Sequence, residues 1–293
     1  MARRHPVLRL LLVLALSVVA LLVLVAGVGL FGGDWFQFGN TVGLVELRGV
    51  IRDANDTIET LERLRKQDST VAVVLRIESP GGAVAPSQEL YDEVRRVRER
   101  KPVIASLGDV AASGGYYVAS AANRILADPG TLTGSIGVIM SIPNFEPLAQ
   151  KIGFSQENVK SGPFKDTGDP LRPLSPQERT YLQGMVDDVL TQFVDAVARG
   201  RNMEPERVRA LADGRVYSGT QAAAAGLVDQ LGGLRDAIEL AWSEAHQTGE
   251  PRVWRIRPRR LPWLLQLLGE TLLADAPEFR GGLFFLYRGP LPQ

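Results

Sequence analysis

The chain has 293 residues, 33 basic and 33 acidic side chains, and no formal net charge. That length suffices for one large or two ordinary domains, and the balanced charge leaves no general footprint for nucleic acid. There is no cysteine, which excludes a disulfide framework, a thiol nucleophile and a cysteine-based zinc site.

Arg3, Arg4 and Arg9 precede an uncharged stretch from Leu10 to Gly33. As a helix it would reach ~36 Å, against a hydrocarbon core of about 30 Å. A cleaved signal peptide is the competing reading, but its apolar region is usually only about 7–15 residues long. Ala26-Gly-Val-Gly29 is also a poor cleavage site. The expectation is an uncleaved anchor. Residues 1–9 lie in the cytoplasm and 10–33 form a transmembrane helix. All from Asp34 onward then stands on the outer side of the cytoplasmic membrane. His5 and His246 are the two histidines, and only His246 follows the anchor. A two-histidine metal site on the outer domain is thereby excluded.

Beyond a Gly/aromatic segment (Phe31 to Asn40), strand and helix patterns alternate. Val42 to Leu47 alternates as a strand. Asp56 to Lys66 reads as a helix with Ile58, Leu61 and Leu64 on one face. Val71 to Ile77 is an apolar, β-branched run of the buried-strand type, broken by Ser79-Pro-Gly-Gly82. A helix follows from Pro86 to Arg100, a strand from Pro102 to Leu107, and a small-residue helix from Ser113 to Ala122. Arg124 to Ala127 is another strand. Lys160 to Pro173 is a polar Gly/Pro-rich connection, and Ser175 caps a long amphipathic helix to Arg199. Helices near Pro205, from Val216 to Gly226 and from Leu234 to His246 complete the pattern. Recurrent strand, glycine turn and helix predict an α/β core with its turns gathered at one edge. One domain spans 34–250. The segment 251–293 differs: five arginines between Arg252 and Arg260 precede Leu261-Pro-Trp-Leu-Leu-Gln-Leu-Leu268, and Leu283-Phe-Phe-Leu-Tyr287 follows. It reads as a contact to a partner subunit or to a membrane surface.

Ser113 stands in Leu107-Gly-Asp-Val-Ala-Ala-Ser-Gly-Gly-Tyr-Tyr117. A hydroxyl at a strand-to-helix glycine junction has backbone N–H groups beside it and a helix dipole beneath it. A plain serine N-cap is the simpler reading. His246, in Ser-Glu-Ala-His-Gln-Thr, reads as a solvated helix end, so a base for Ser113 is sought among the five lysines. Arginine stays protonated, whereas a lysine serves as a base where its surroundings favour the neutral amine. Lys66, Lys101 and Lys151 read as solvated. Lys160 and Lys165 share the glycine-rich connection, and spacing alone leaves both open.

Four motifs carry a resemblance: Ile77-Glu-Ser-Pro-Gly-Gly82, Asp109 to Tyr117, Thr131-Leu-Thr-Gly-Ser-Ile-Gly-Val-Ile139 and Lys160-Ser-Gly-Pro-Phe-Lys-Asp166. From about Val42 to Leu240 the chain resembles the bacterial signal peptide peptidases of the SppA type, serine proteases on the Clp-protease/crotonase superfold. It has one set of motifs, like the family's short form. The resemblance implies a spiral of β-β-α units. It makes Ser113 the nucleophile, Lys165 the base, Ser135 the residue that orients the lysine, and Gly81, Gly82 and Gly114 the oxyanion hole. Asp109 and Asp166 remain turn formers. No cofactor or metal is implied. The partners implied are signal peptides and short apolar peptides, the cytoplasmic membrane, and further copies of the chain in a ring or dome. A related membrane protease with another target, a crotonase-type acyl-CoA enzyme and a non-catalytic membrane scaffold are the alternatives.

Overall fold

The computed structural model describes residues 39–256, the backbone of a strand at 283–286, and a helical pair, Leu16 and Ser17. Apart from Leu16 and Ser17, the expected anchor at 10–33 lies outside the described residues, as does most of the 251–293 segment. Among the described residues no helix is long and apolar enough to cross a membrane. The chain divides into a unit at 1–40 and a compact unit at 41–293, which carries the fold.

The second unit begins with β1 (Thr41–Arg48), α1 (Asn55–Lys66), β2 (Thr70–Ser79), β3 (Gly81–Ala83) and α2 (Val84–Arg98). Next come β4 (Val103–Ala112), α3 (Gly114–Ala119), β5 (Arg124–Ala127), β6 (Leu132–Gly134), β7 (Ile139–Met140) and α4 (Glu146–Lys151). The long α5 (Pro176–Arg201), then α6 (Pro205–Leu211), β8 (Val216–Ser218), α7 (Gly219–Ala225), β9 (Gln230–Leu231) and α8 (Leu234–Glu244) follow. β10 (Val253–Arg255) and β11 (Leu283–Leu286) close the series.

Six strands run parallel in the order β10-β1-β2-β4-β5-β9, with β6 on β4 and β8 on β6. Parallel neighbours need crossover connections, and α1 and α2 supply two of them. One face of the sheet packs on Leu61 and Leu64 of α1, Leu90, Val94 and Val97 of α2, Tyr116 of α3, and Phe193 and Val197 of α5. The other carries Val42, Leu44, Val74, Ile104 and Leu126 against Ala237, Ala241 and Trp242 of α8. Covered on both faces through its middle, β2 has no polar side to present there, which is why Val71 to Leu75 is a continuous apolar run.

Two polar contacts tie the first crossovers. Lys101 Nζ donates to the carbonyls of Leu64 (2.6 Å) and Gln67 (2.5 Å) at the end of α1, where each carbonyl also accepts a backbone N–H. Buried Glu93 of α2 pairs with Arg96 at 2.9 Å and with Arg65 of α1 at 3.5 Å.

The N-terminal part of α5 is mostly exposed, with Tyr181 and Met185 in the open, while Val189, Phe193, Val194 and Val197 are buried. Its two glycines therefore meet different surroundings. A β-carbon on Gly200 would lie 1.9 Å from the Ser120 carbonyl oxygen, so the glycine lets α5 close on the end of α3. A β-carbon on Gly184 meets nothing within 4 Å. Alanine is the better helix former by about 1 kcal/mol. Gly184→Ala should therefore stabilise the fold by up to ~1 kcal/mol, and Gly200→Ala should destabilise it by about 1–3 kcal/mol. Urea denaturation of the two variants checks the opposite signs.

Candidate active site

β4 ends at Ala112 and α3 begins at Gly114; between them Ser113 takes φ 54° and ψ −117°. A side-chain-bearing residue in that region stores about 1–3 kcal/mol and persists only where its surroundings over-determine it. Here they do. The Ser113 N–H donates to the Gly134 carbonyl of β6 at 2.8 Å, and the Ser113 carbonyl accepts from Tyr117 N–H at 2.8 Å. Below, Tyr116 OH donates to the Leu227 carbonyl at 2.8 Å, and the Tyr117 ring meets those of Tyr91 and Phe193, each with centroids 5.0 Å apart. Burial pushes the Tyr117 phenol up to about 12. Ser113 is itself only 1% exposed, and its hydroxyl makes no hydrogen bond among the described residues.

The glycines beside it are required by contact. A β-carbon on Gly114 would stand 2.7 Å from Ser87 Oγ and 3.2 Å from both Gly81 Cα and Gly82 N. One on Gly82 would stand 2.0 Å from the Ile51 carbonyl oxygen, and one on Gly115 2.8 Å from that of Ser79. The backbone of β3 thus lies directly against the start of α3. Gly81 has φ 94°, and its N–H donates to Ser79 Oγ at 3.1 Å. This corrects the sequence reading in one respect: the Gly81 N–H is already engaged. Gly82 stands opposite Phe285 of β11, and Gly81, with its positive φ, shapes the turn.

Ser135 directly follows the residue that holds Ser113. It is 8% exposed with φ 50°, and its N–H donates to the Arg215 carbonyl at 2.9 Å. Its hydroxyl donates to the Gly214 carbonyl at 3.2 Å, which turns the oxygen's lone pairs toward any incoming donor.

Lys165 is exposed, and its side chain has no hydrogen-bond or ion-pair partner among the described residues. The structure therefore gathers Ser113, Ser135, Gly81, Gly82 and Gly114, but forms no hydrogen bond between Lys165 and either serine within the chain. Lys160, the rival by spacing, is bound to Asp166 Oδ1 at 2.6 Å. Asp166 also accepts from Arg172 Nη2 at 2.9 Å, and Arg172 reaches Glu178 Oε2 at 2.9 Å and the Asp166 carbonyl at 2.9 Å. Glu178 in turn closes a capping box with Ser175 at the start of α5. Asp166 sits in a turn as expected, its carbonyl accepting from Asp169 N–H at 3.1 Å, and it is also the hub of an ion-pair clamp. Lys160, followed by Arg172, holds its carboxyl down at about 2, and Arg172 holds Glu178 well below the usual carboxylate range. Phe164 stacks on Tyr181 of α5 with centroids 5.2 Å apart. Asp109, by contrast, is an exposed residue within β4, contrary to the turn reading. His246 is exposed at the end of α8 with φ 58°, as its sequence context implied. A groove of about 900 Å³ opens elsewhere, along β1 and α1, and its walls include none of these residues.

The model of peptidase family S49 matches residues 95–248, and the Clp protease model matches residues 47–128. The chain belongs to peptidase family S49. A protein of Synechocystis sp. is 47% identical over 170 residues, covering 58% of this chain and 61% of the other. "Serine protease SPPA, chloroplastic" of Arabidopsis thaliana is 37% identical over 233 residues, covering 78% of this chain and 34% of its own. "Protease 4" of Salmonella typhi is 34% identical over 255 residues, covering 82% and 40% respectively. The chain is thus an SppA-type member of the family that spans under two thirds of these relatives' lengths.

The clamp makes the lysine-bearing loop ionic in its anchorage. Asp166 is depressed from an ordinary 3.8 to about 2, so its contribution is complete above pH 4 and lost as pH falls through 2. Arg172→Ala should open the 160–175 loop at neutral pH, seen as new limited-proteolysis cuts there. The parent loop should show the same opening by hydrogen exchange only below about pH 4. Equal protection of both proteins at pH 7 would show that the clamp does not order the loop.

Proposed function

We propose that the chain is a serine endopeptidase in which Ser113 attacks the peptide carbonyl and Lys165 is the general base. The observation that carries this reading is the backbone of Ser113, held in a strained conformation beside the N–H groups of Gly82 and Gly114. A neutral Lys165 takes the Ser113 proton as the acyl bond forms, then returns it to the leaving amine. Water hydrolyses the acyl-enzyme by the reverse path. Gly82 and Gly114 hold the developing oxyanion, where the loss of one donor typically costs about 3–4 kcal/mol. Ser135 accepts from the lysine amine through the lone pairs its own donation leaves free. Coenzyme A chemistry would have no use for a base at Lys165, and a scaffold would have no need of strain at Ser113.

The base comes from a second copy of the chain. Ser113 is buried and Lys165 exposed, with no hydrogen bond between them. The lysine loop is surrounded in sequence by exposed apolar side chains, among them Phe145, Leu148, Ile152, Phe154 and Phe164. Such a set is covered when copies associate in a ring or dome. The anchor at 10–33 holds the assembly on the outer face of the cytoplasmic membrane. There the substrates are residual signal peptides and other short apolar peptides, taken as they leave the bilayer, because helices within it keep their backbone bonds closed. Folded proteins are spared.

Ser113→Ala and Lys165→Ala should each lower hydrolysis of a synthetic signal peptide at least about a thousandfold. Lys160→Ala should retain most activity. A fluorophosphonate should label the parent protein and not Ser113→Ala. Mixing the two inactive variants before assembly should restore part of the activity, because some sites then pair an intact serine with an intact lysine. Near-normal turnover by Lys165→Ala would end the dyad assignment, and no recovery on mixing would place both groups in one chain.

A further inference from the structure

β6, which leads into Ser135, lies between two neighbours. On one side β4 carries Ser113, whose N–H donates to the Gly134 carbonyl. On the other β8 runs antiparallel, with Thr133 opposite Tyr217 and Gly134 opposite Val216. Past the ladder the pairing continues into the turn that precedes β8, at 213–215. Ser135 N–H donates to the Arg215 carbonyl at 2.9 Å, and Gly214 N–H returns to the Ile136 carbonyl at 3.0 Å. Ser135 Oγ donates to the Gly214 carbonyl at 3.2 Å. Both donors of Ser135 thus end on one turn, which holds the serine at φ 50°. Two glycines allow the close approach: Gly214 has φ 86°, and a β-carbon on Gly137 would stand 3.2 Å from Gly214 Cα. The turn is shaped by Asp213. Its Oδ1 accepts from Arg215 N–H at 3.1 Å, the bond by which an aspartate closes a turn on the residue two positions on. The same carboxylate accepts from Arg215 Nε, at 2.9 Å on Oδ1 and 2.7 Å on Oδ2. Both side chains are exposed, so the ion pair itself adds little stability. The bond to the backbone is the consequential one, because it fixes Gly214 and with it the carbonyl that takes the Ser135 proton.

We propose that Asp213 is a positioning residue for peptide hydrolysis, acting through Gly214 and Ser135 on the base. The proposal rests on the reading of Ser113 and Lys165 as the dyad, with Ser135 as the partner of the lysine. While its proton is committed to Gly214, the Ser135 oxygen keeps its lone pairs for the lysine amine. When the turn slackens, the hydroxyl is free to rotate. The amine then loses the acceptor that fixes its own lone pair toward Ser113. A misplacement of about 1 Å, caused far from the reacting atoms, can cost about a hundredfold in rate.

Steady-state kinetics of full-length variants in detergent, on a short apolar peptide, test this. Asp213→Ala removes the acceptor for Arg215 N–H and should lower kcat about tenfold with KM unchanged. Asp213→Asn keeps an oxygen at that place and should stay within about twofold of the parent. Asp213→Ser closes the turn more weakly and should fall between them, about threefold down. Ser135→Ala should lower kcat at least as far as Asp213→Ala does. In that background Asp213→Ala should cost nothing further, because two residues acting in series do not add. Cooperative urea unfolding identifies any variant that has lost its fold, and Asp213→Ser takes the place of the alanine variant in the cycle if that one has. A folded Asp213→Ala with the parent kcat, an Asp213→Asn as slow as Asp213→Ala, or additive losses in the double variant would overturn the proposal. Parent-like turnover by Ser135→Ala would instead remove Ser135 from the dyad reading, and the proposal with it.

Discussion

The site depends on one close approach, that of β3 to the first turn of α3. Backbone meets backbone there: the position of a β-carbon on Gly114 is 3.2 Å from Gly82 N, and that of one on Gly82 is 2.0 Å from Ile51 O. Only glycine satisfies both contacts. The rest of the core serves to hold them. β2 and β4 are adjacent parallel strands, so their ends arrive side by side, and each strand delivers a glycine turn at the same edge. Between Ile77 and Ser79 their register slips: Ile77 faces Leu107, but Ser79 faces Ala111. The extra residues on β4 lean it toward β6, and Gly108 permits this because a β-carbon would lie 2.2 Å from Glu78. The lean brings Ser113 to the Gly134 carbonyl, and so beside Ser135.

Strain at Ser113 is affordable because α3 cannot move. All six of its residues are buried. Tyr116 is pinned at its hydroxyl, Tyr117 is wedged between two rings, and Gly200 lets α5 close over the end of the helix. A stored cost of about 1–3 kcal/mol is small beside the burial of two tyrosines, each of which hides on the order of 150–250 Å². The apolar packing beneath thus maintains a conformation that the serine alone would leave.

Much of this was legible in the residues because the physics was local. The apolar run at 71–77 foretold a strand covered on both faces, and Ser175 with Glu178 foretold the capped start of α5. The glycine pairs at 81–82 and 114–115 marked tight places, although their spacing could not say against what. Three features were not legible. β4 runs on to Ala112 because its end pairs with β6, a non-local partner invisible in its own sequence. Asp166 does sit in a turn, but its ion-pair role was hidden because its partner Arg172 lies beyond the local window in which turn residues are read. The Gly81 N–H looked free because nothing in Ser79-Pro-Gly-Gly82 reveals that the serine turns back to accept it.

The two parts that the core does not supply share a character. In the proposed reading, catalysis needs a base near Ser113 and an extended substrate beside it. The proposed base sits on an exposed loop outside the sheet, and the substrate comes from outside the chain. Neither is shaped by the apolar core, so neither is fixed by folding alone. The loop is instead ordered by charges, through Lys160, Asp166, Arg172 and Glu178, which hold its form without burying it. Such a carrier can present a lysine to another surface while its own chain stays folded. Substrate binding follows the same logic, since main-chain pairing accepts any extended segment and discriminates mainly by what its pockets admit. A peptidase built this way keeps its nucleophile rigid and dry, and leaves base and substrate to be delivered from outside the core. The buried residues then govern whether attack is possible, and the exposed ones govern when.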